Sequence, residues 1–85
     1  MFRPDPPTSS SDLARFEALF ASCQRLVLAY AMRRSPNAAD AEDVVAETFI
    51  VAWRKIDSVP AEPVPWLYAV ARRILANQRP VLSGR

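Results

Sequence analysis

Apolar residues recur every three or four positions along the first third of the chain, a spacing typical of an amphipathic helix. The pattern predicts helix one over residues 12–34, with Ser11 as its N-cap. The predicted buried stripe consists of Leu13, Phe16, Phe20, Cys23, Val27 and Tyr30, widened by Leu19 and Leu26. Pro36 disfavours helical geometry at Ser35, so this helix is expected to end there.

A second helix is predicted over residues 38–56, with Asn37 as its N-cap. One face has the spacing of a core stripe and consists of Ala41, Val44, Val45, Thr48, Ala52 and Ile56. The positions expected mostly outside are Glu42, Asp43, Ala46, Glu47, Ile50 and Arg54. Phe49 and Trp53 fall at the edge of the stripe; periodicity favours the core for both, and contact with a partner is the alternative.

Three prolines within residues 57–65 predict a stiff loop. Pro65 is suited to the first position of a helix, so helix three is expected to start at Trp66 and to end before Pro80. Its inward positions would be Leu67, Val70, Ala71, Ile74 and Gln78, and its outward positions Arg72, Arg73, Ala76, Asn77 and Arg79. Trp66 is expected to pack against helix two, whereas Tyr68 lies off the stripe and is the better candidate for contact with a ligand.

Composition agrees with a small helical domain. Of 85 residues, 51% are hydrophobic and one is Gly, which favours an all-α bundle of three to four helices. A Pro- and Ser-rich start predicts a disordered tail over residues 1–11, ahead of a helical domain over residues 12–79. Residues 80–85 would form an interdomain linker or an added tail.

The net charge is only +2, but the charges are unevenly distributed. Residues 37–62 carry two basic and six acidic side chains, whereas residues 63–85 carry four Arg and no acid. Such an asymmetry fits a domain that meets an anion on one side and another partner elsewhere.

The chain lacks most of the residues that catalysis requires. It has no His, a single Cys and no Gly-rich phosphate loop, so we expect no enzyme, no metal and no cofactor. Cys23 is expected to be a small buried hydrophobe. No apolar run is long enough to span a bilayer and no secretion signal is recognisable, which predicts a cytoplasmic protein without membrane contact.

Four short motifs together resemble a known family. They are DAEDVVAETF at residues 40–49, Ala52-Trp53, Pro65-Trp66-Leu67-Tyr68 and Ala71-Arg72. In this order and spacing they resemble the second conserved region of bacterial sigma factors of the extracytoplasmic-function (ECF) group, over residues 16–79. The resemblance implies the region 2 type of helical bundle, in an initiation factor that binds core RNA polymerase and recognises and melts the promoter minus-ten element.

The resemblance also implies two sets of contact residues. Helix two would dock on the clamp helices of the polymerase's largest subunit through Glu42, Asp43, Ala46, Glu47, Phe49 and Trp53. The single-stranded minus-ten element would meet Lys55, Val59, Tyr68, Val70, Arg72, Arg73 and Arg79. Val59 and Arg73 stand where relatives often have an aromatic residue and Asn, so a relative's base preference cannot be assigned to this chain.

The resemblance carries further expectations. A complete ECF factor has a helix-turn-helix domain for the minus-thirty-five element, which these residues do not supply, so the chain is expected to be a fragment. An anti-sigma factor is a common additional partner in the family, although no residue here identifies one. The alternative to this interpretation is a small helical protein-interaction module that does not bind DNA.

Overall fold

The computed structural model describes residues 10–78, which form three helices that all pack against one another. The helices are α1 (Ser10–Arg34), α2 (Ala38–Arg54) and α3 (Pro63–Asn77), and a 3-10 turn (Ile56–Ser58) follows α2. The described part of the chain contains no strand, so the predicted all-α class is confirmed. Arg79, residues 80–85 and the first nine residues of the tail predicted over residues 1–11 lie outside the described residues, whereas the last two residues of that tail belong to α1.

The predicted start of α2 is confirmed in atomic detail. Asn37 has an extended backbone, with φ −156° and ψ 171°, and its side-chain Oδ1 accepts a hydrogen bond from the backbone N–H of Asp40 at 2.8 Å. This bond satisfies one of the N–H groups that the first turn of a helix leaves unpaired. The end of α2 differs from the prediction, because the helix stops at Arg54 and Ile56 lies in the 3-10 turn.

Two other helix starts were predicted wrongly. The first helix begins at Ser10, so Ser11 lies inside its first turn and is not the N-cap. The third helix begins at Pro63, and Pro65 therefore occupies the third helical position rather than the first. Both prolines are tolerated there because the first turn of a helix needs no donated backbone N–H. The predicted loop is accordingly reduced to residues 59–62 between the 3-10 turn and α3.

The core lies where the three helices meet. Every residue of the stripe predicted on α2 is buried, and α3 adds Leu67 and Ala71 at 0% exposure. Thr48 is also fully buried, and its hydroxyl donates to the carbonyl of Val44 at 2.7 Å, so the core contains a polar group at no cost in lost hydrogen bonds. The prediction for Cys23 is confirmed, since it is 3% exposed.

The buried stripe of α1 is narrower than predicted. It consists of Leu19, Cys23, Val27 and Ala31, four residues at strict i, i+4 spacing. The predictions for Leu13, Phe20 and Leu26 are wrong, because these side chains remain 38–46% exposed. With 25 residues α1 is longer than α2 or α3, so its partners cannot cover all of its apolar positions.

On α3, the exposed positions predicted for Arg72, Arg73, Ala76 and Asn77 are confirmed. The inward position predicted for Gln78 is wrong, since Gln78 is exposed at the C-cap. Trp66 is half-buried and packs against the core cluster. Within the described range no helix is both long and apolar enough to cross a membrane; α1 has the length but carries several charged side chains.

Substitution of the α2 N-cap should lower stability without changing the fold. Asn37→Ala removes the bond to the Asp40 N–H and should lower the free energy of unfolding by about 1 kcal/mol. Asn37→Ser, which retains a cap oxygen, should recover most of the loss. Chemical denaturation followed by circular dichroism measures both, and equal stability of Asn37→Ala and the unsubstituted chain would contradict the role of the cap.

Neighbouring apolar residues of α2 should differ sharply in their contribution to stability. Phe49 is 3% exposed and Ile50 is 49% exposed. Phe49→Ala should therefore cost about 3–5 kcal/mol, and Ile50→Ala about 0.5 kcal/mol or less. Because so small a domain can unfold entirely when Phe49 is replaced by Ala, Phe49→Leu is also measured. This milder variant should still show an unfolding transition. Similar costs at the two positions would contradict the burial assigned to Phe49.

Candidate functional site

The outer face of α2 is acidic and apolar. Glu42, Asp43, Ala46 and Glu47 are all exposed, and Ile50 is 49% exposed one turn further along. Positions 43, 46, 47 and 50 recur at helical spacing, so they share one side of the helix. We call these five residues the acidic face. It exists because the opposite side of α2 is committed to the core.

An aromatic cluster of Phe16, Phe20, Phe49 and Trp53 joins α1 to α2. The rings of Phe20 and Phe49 meet edge to face at 4.9 Å, and those of Phe16 and Trp53 at 5.0 Å, which is favourable geometry for aromatic pairs. Residue numbers rise on α1 as they fall on α2, so the two helices run antiparallel. Phe20 remains 38% exposed and gives the cluster an open apolar side.

The six positions predicted for polymerase contact therefore fall into three environments. Four belong to the acidic face, Trp53 is half-buried, and Phe49 is in the core. The core interpretation of Phe49 is thus confirmed, and this ring is placed to support the surface rather than to form it. Sequence reasoning missed the partial exposure of Phe20, because its spacing in α1 is also that of a core residue.

The outer face of α3 carries positive charge without acidic neighbours. Arg72 and Arg73 are exposed, and no described carboxylate lies within ion-pair distance of either guanidinium. Residues 63–78 contain no Asp or Glu at all. Val70 is half-buried on the same helix. This face can attract an anion without first breaking an internal ion pair.

Tyr68 has a different setting from the one predicted. Its ring is half-buried and stacks on Tyr30 of α1, with centroids 4.6 Å apart and planes 14° apart. The guanidinium of Arg34 lies over the Tyr30 ring, with Cζ 3.8 Å from the centroid. Sequence reasoning missed Tyr30 and Arg34 as surface residues. The repeated spacing in Tyr30/Arg34 and Tyr68/Arg72 could have indicated them, since residues four apart share a helix face.

Val59 lies in a groove between α1 and the proline-containing segment that follows the 3-10 turn. The groove is lined by Arg15, Ala18, Leu19, Ser22, Ile56, Val59, Pro60, Ala61 and Pro63. Arg15 also forms an exposed ion pair with Asp57 at 3.7 Å, which ties α1 to the 3-10 turn. Of the described residues predicted to meet the minus-ten element, Val59 lines this groove, whereas Lys55, Val70 and Arg73 do not.

Comparison with known proteins gives a consistent result. The family model for sigma-70 region 2 matches residues 19–80. Among curated proteins the chain is similar to the ECF RNA polymerase sigma factor SigL of the Erdman, CDC 1551 and H37Rv strains of Mycobacterium tuberculosis, with 32% identity over 74 residues. The aligned part covers 84% of this chain but only 42% of the relative's length. The family match takes in α2 and α3 whole and most of α1, and the chain therefore belongs to the sigma-70 region 2 family, as a region 2 domain of ECF type.

Proposed function

We propose that this domain works in transcription initiation, where it docks on core RNA polymerase and holds the unpaired minus-ten strand of a promoter. In this proposal the acidic face of α2 meets the clamp helices of the largest subunit. The segment of residues 59–62 and the basic side of α3 meet DNA. The polymerase performs the chemistry, and the domain works where the polymerase does, in the bacterial cytoplasm.

The separation of charge between two helices is the observation that carries the proposal. Glu42, Asp43 and Glu47 project from α2, whereas Arg72 and Arg73 project from α3, and the shared core lies between these helices. If both charges were present on every face, electrostatic attraction would not favour one orientation of either partner. Here each partner can be attracted to its own helix, which supports simultaneous binding of polymerase and DNA.

The acidic face is suited to binding along another helix. Its carboxylates surround Ala46, whose small side chain permits close approach, and Ile50 and Trp53 offer apolar surface beside them. Interfaces of this kind depend on a few apolar anchors, while charged positions around them set partner choice and orientation. Exposed Glu47 is central on this face, so its charge is expected to matter more for binding than for folding.

The DNA side combines charge with half-buried apolar and aromatic groups. Arg72 and Arg73 are available to phosphates, and Tyr68 and Val70 lie on the same helix. Binding of single strands generally uses such a mixture, since phosphates need cations and unstacked bases need flat or apolar surfaces. Melting would follow if the domain binds the unpaired strand more tightly than the duplex.

Reversal of one charge on the acidic face should impair polymerase binding selectively. Glu47→Lys should weaken binding to a clamp-helix fragment by about tenfold or more, because it reverses a charge that the proposal places at the centre of the interface. Glu62→Lys is the matched control, since Glu62 is an exposed carboxylate outside α2 whose side chain makes no cap hydrogen bond. Isothermal titration calorimetry gives the affinities, and thermal unfolding verifies that both variants fold.

Two outcomes would contradict the docking part of the proposal. One is equal affinity of the Glu47→Lys variant and the unsubstituted chain. The other is no binding of the unsubstituted chain to either the clamp-helix fragment or single-stranded DNA, which would favour a protein-interaction module with a different partner.

Loss of an arginine on α3 should weaken DNA binding in a salt-dependent way. Arg73→Ala should reduce affinity for a single-stranded minus-ten-like oligonucleotide and lower the slope of log K against log salt by about 0.7, the release of one counterion. Arg25→Ala is the control, because Arg25 is an exposed arginine on α1. Fluorescence anisotropy at several salt concentrations measures both. If the salt slope is unchanged in Arg73→Ala, or changes equally in Arg25→Ala, Arg73 does not make a specific DNA contact.

A further inference from the structure

Three planar groups form a continuous stack at the junction of α1 and α3. Tyr30 contacts the Arg34 guanidinium at 3.8 Å and the Tyr68 ring at 4.6 Å, both measured to its centroid. Two groups this close cannot occupy the same face of one ring, so Arg34 and Tyr68 lie on opposite faces of Tyr30. The order of the stack is therefore Arg34, Tyr30, Tyr68, and we call it the tyrosine stack.

The guanidinium at the end of this stack is held in place but not neutralised. Arg34 Nη1 donates to the backbone carbonyl of Tyr30 at 3.2 Å, which fixes the group over the ring. Arg34 is exposed, and within residues 10–78 it has no carboxylate partner. One guanidinium face rests on Tyr30, while most of its N–H donors remain available to a ligand.

The two helix segments that form the stack carry basic but no acidic side chains. Residues 18–39 contain no acidic side chain, and neither do residues 63–78. Arg33 lies beside Arg34 in the last turn of α1, and Arg72 lies one turn beyond Tyr68 on α3. The nearest carboxylate that follows α1 in sequence, Asp40, is engaged at the α2 N-cap by the Asn37 side chain. The stack thus extends the basic side of α3 onto the end of α1.

The chemistry of the stack favours a single-stranded nucleic acid over other anions. An acidic peptide could pair with the charge of Arg34, but it would gain little from a planar guanidinium that is stacked on the Tyr30 ring. A duplex offers phosphates, but its bases are already stacked on one another. An unpaired strand offers both phosphates and free π faces, and arginine planes and aromatic rings are the surfaces on which such bases stack.

We infer that single-stranded DNA continues from α3 onto the C-terminal end of α1, where one nucleobase stacks on the free face of the Arg34 guanidinium. Tyr30 and Tyr68 act as positioning residues that keep this face flat. The inference rests on the proposed function, and it adds a base-stacking site on α1 to the set of residues considered for DNA contact.

Arg34→Lys is the decisive substitution, because lysine retains the charge but has no plane. The experiment uses the 85-residue chain and an oligonucleotide with one 2-aminopurine, moved base by base. For the unsubstituted chain, the fluorescence of 2-aminopurine should change at one position of the strand. Arg34→Lys should abolish that change and weaken binding about fivefold or more, the equivalent of one lost base stack, with an unaltered salt slope. Arg34→Ala should also lower the slope by about 0.7.

Matched controls separate the stack from general charge and from folding. Arg25→Lys and Arg25→Ala change an exposed arginine elsewhere on α1 and should leave the 2-aminopurine signal unchanged. Tyr30→Ala removes the ring and should reduce the 2-aminopurine signal, and Tyr30→Phe, which keeps the ring, should restore it. Circular dichroism verifies that each variant retains its helices, and a polyglutamate peptide of matched charge is titrated in parallel.

Several results would overturn the inference. If Arg34→Lys binds and signals like the unsubstituted chain, the guanidinium plane is not used, even where Arg34→Ala is weaker. If polyglutamate binds as tightly and is equally sensitive to Arg34→Lys, the stack is a site for acidic protein segments. If Arg34 variants are unaffected while Arg73→Ala is impaired, the inference fails and the proposed function stands. If the unsubstituted chain binds no DNA at low salt, both fail.

Discussion

Burial of α2 against both other helices is the interaction on which the rest of the structure depends. Its stripe from Ala41 to Ala52 is almost entirely withdrawn from water, and four of the fully buried residues in the core are alanines, drawn from all three helices: Ala31, Ala41, Ala52 and Ala71. Small side chains at these positions let the backbones approach closely, which a core with so few large residues requires. Since one side of α2 is fully used in this way, its carboxylates have only the opposite side to occupy. The acidic face is a consequence of the core.

Because α1 is long, each of its halves packs aromatic side chains against a different helix. Its N-terminal half meets α2 through the aromatic cluster of Phe16, Phe20, Phe49 and Trp53, and its C-terminal half meets α3 through the tyrosine stack. Between them, Cys23 and Val27 are buried in the core. Both candidate surfaces are thus supported from behind by the same helix. A change in the middle of α1 would alter the relative placement of the two surfaces even though it touches neither.

The parts of the fold that could be predicted from sequence are those that a single helix determines by itself. The stripe and N-cap of α2 followed from strict spacing and from the chemistry of Asn37, and both are confirmed. Helix α1 was harder because apolar residues lie on more than one of its sides, and the sequence alone does not say which side the neighbours cover. Leu19 is therefore in the core and Leu13 is not. Likewise, Pro63 and Pro65 are both compatible with a helix start, and spacing does not choose between them.

The tyrosine stack could not be predicted for a different reason. Tyr30 and Tyr68 are 38 positions apart in the chain, and their contact depends on how α1 and α3 cross. The exposed positions of Arg72 and Arg73 required only the periodicity of α3, so sequence located the charge but not the flat surface beside it. In the proposed DNA contact, phosphates are met by one helix, whereas the stack proposed to receive an unpaired base is assembled from α1 and α3. That stack therefore depends on the same core that positions the acidic face.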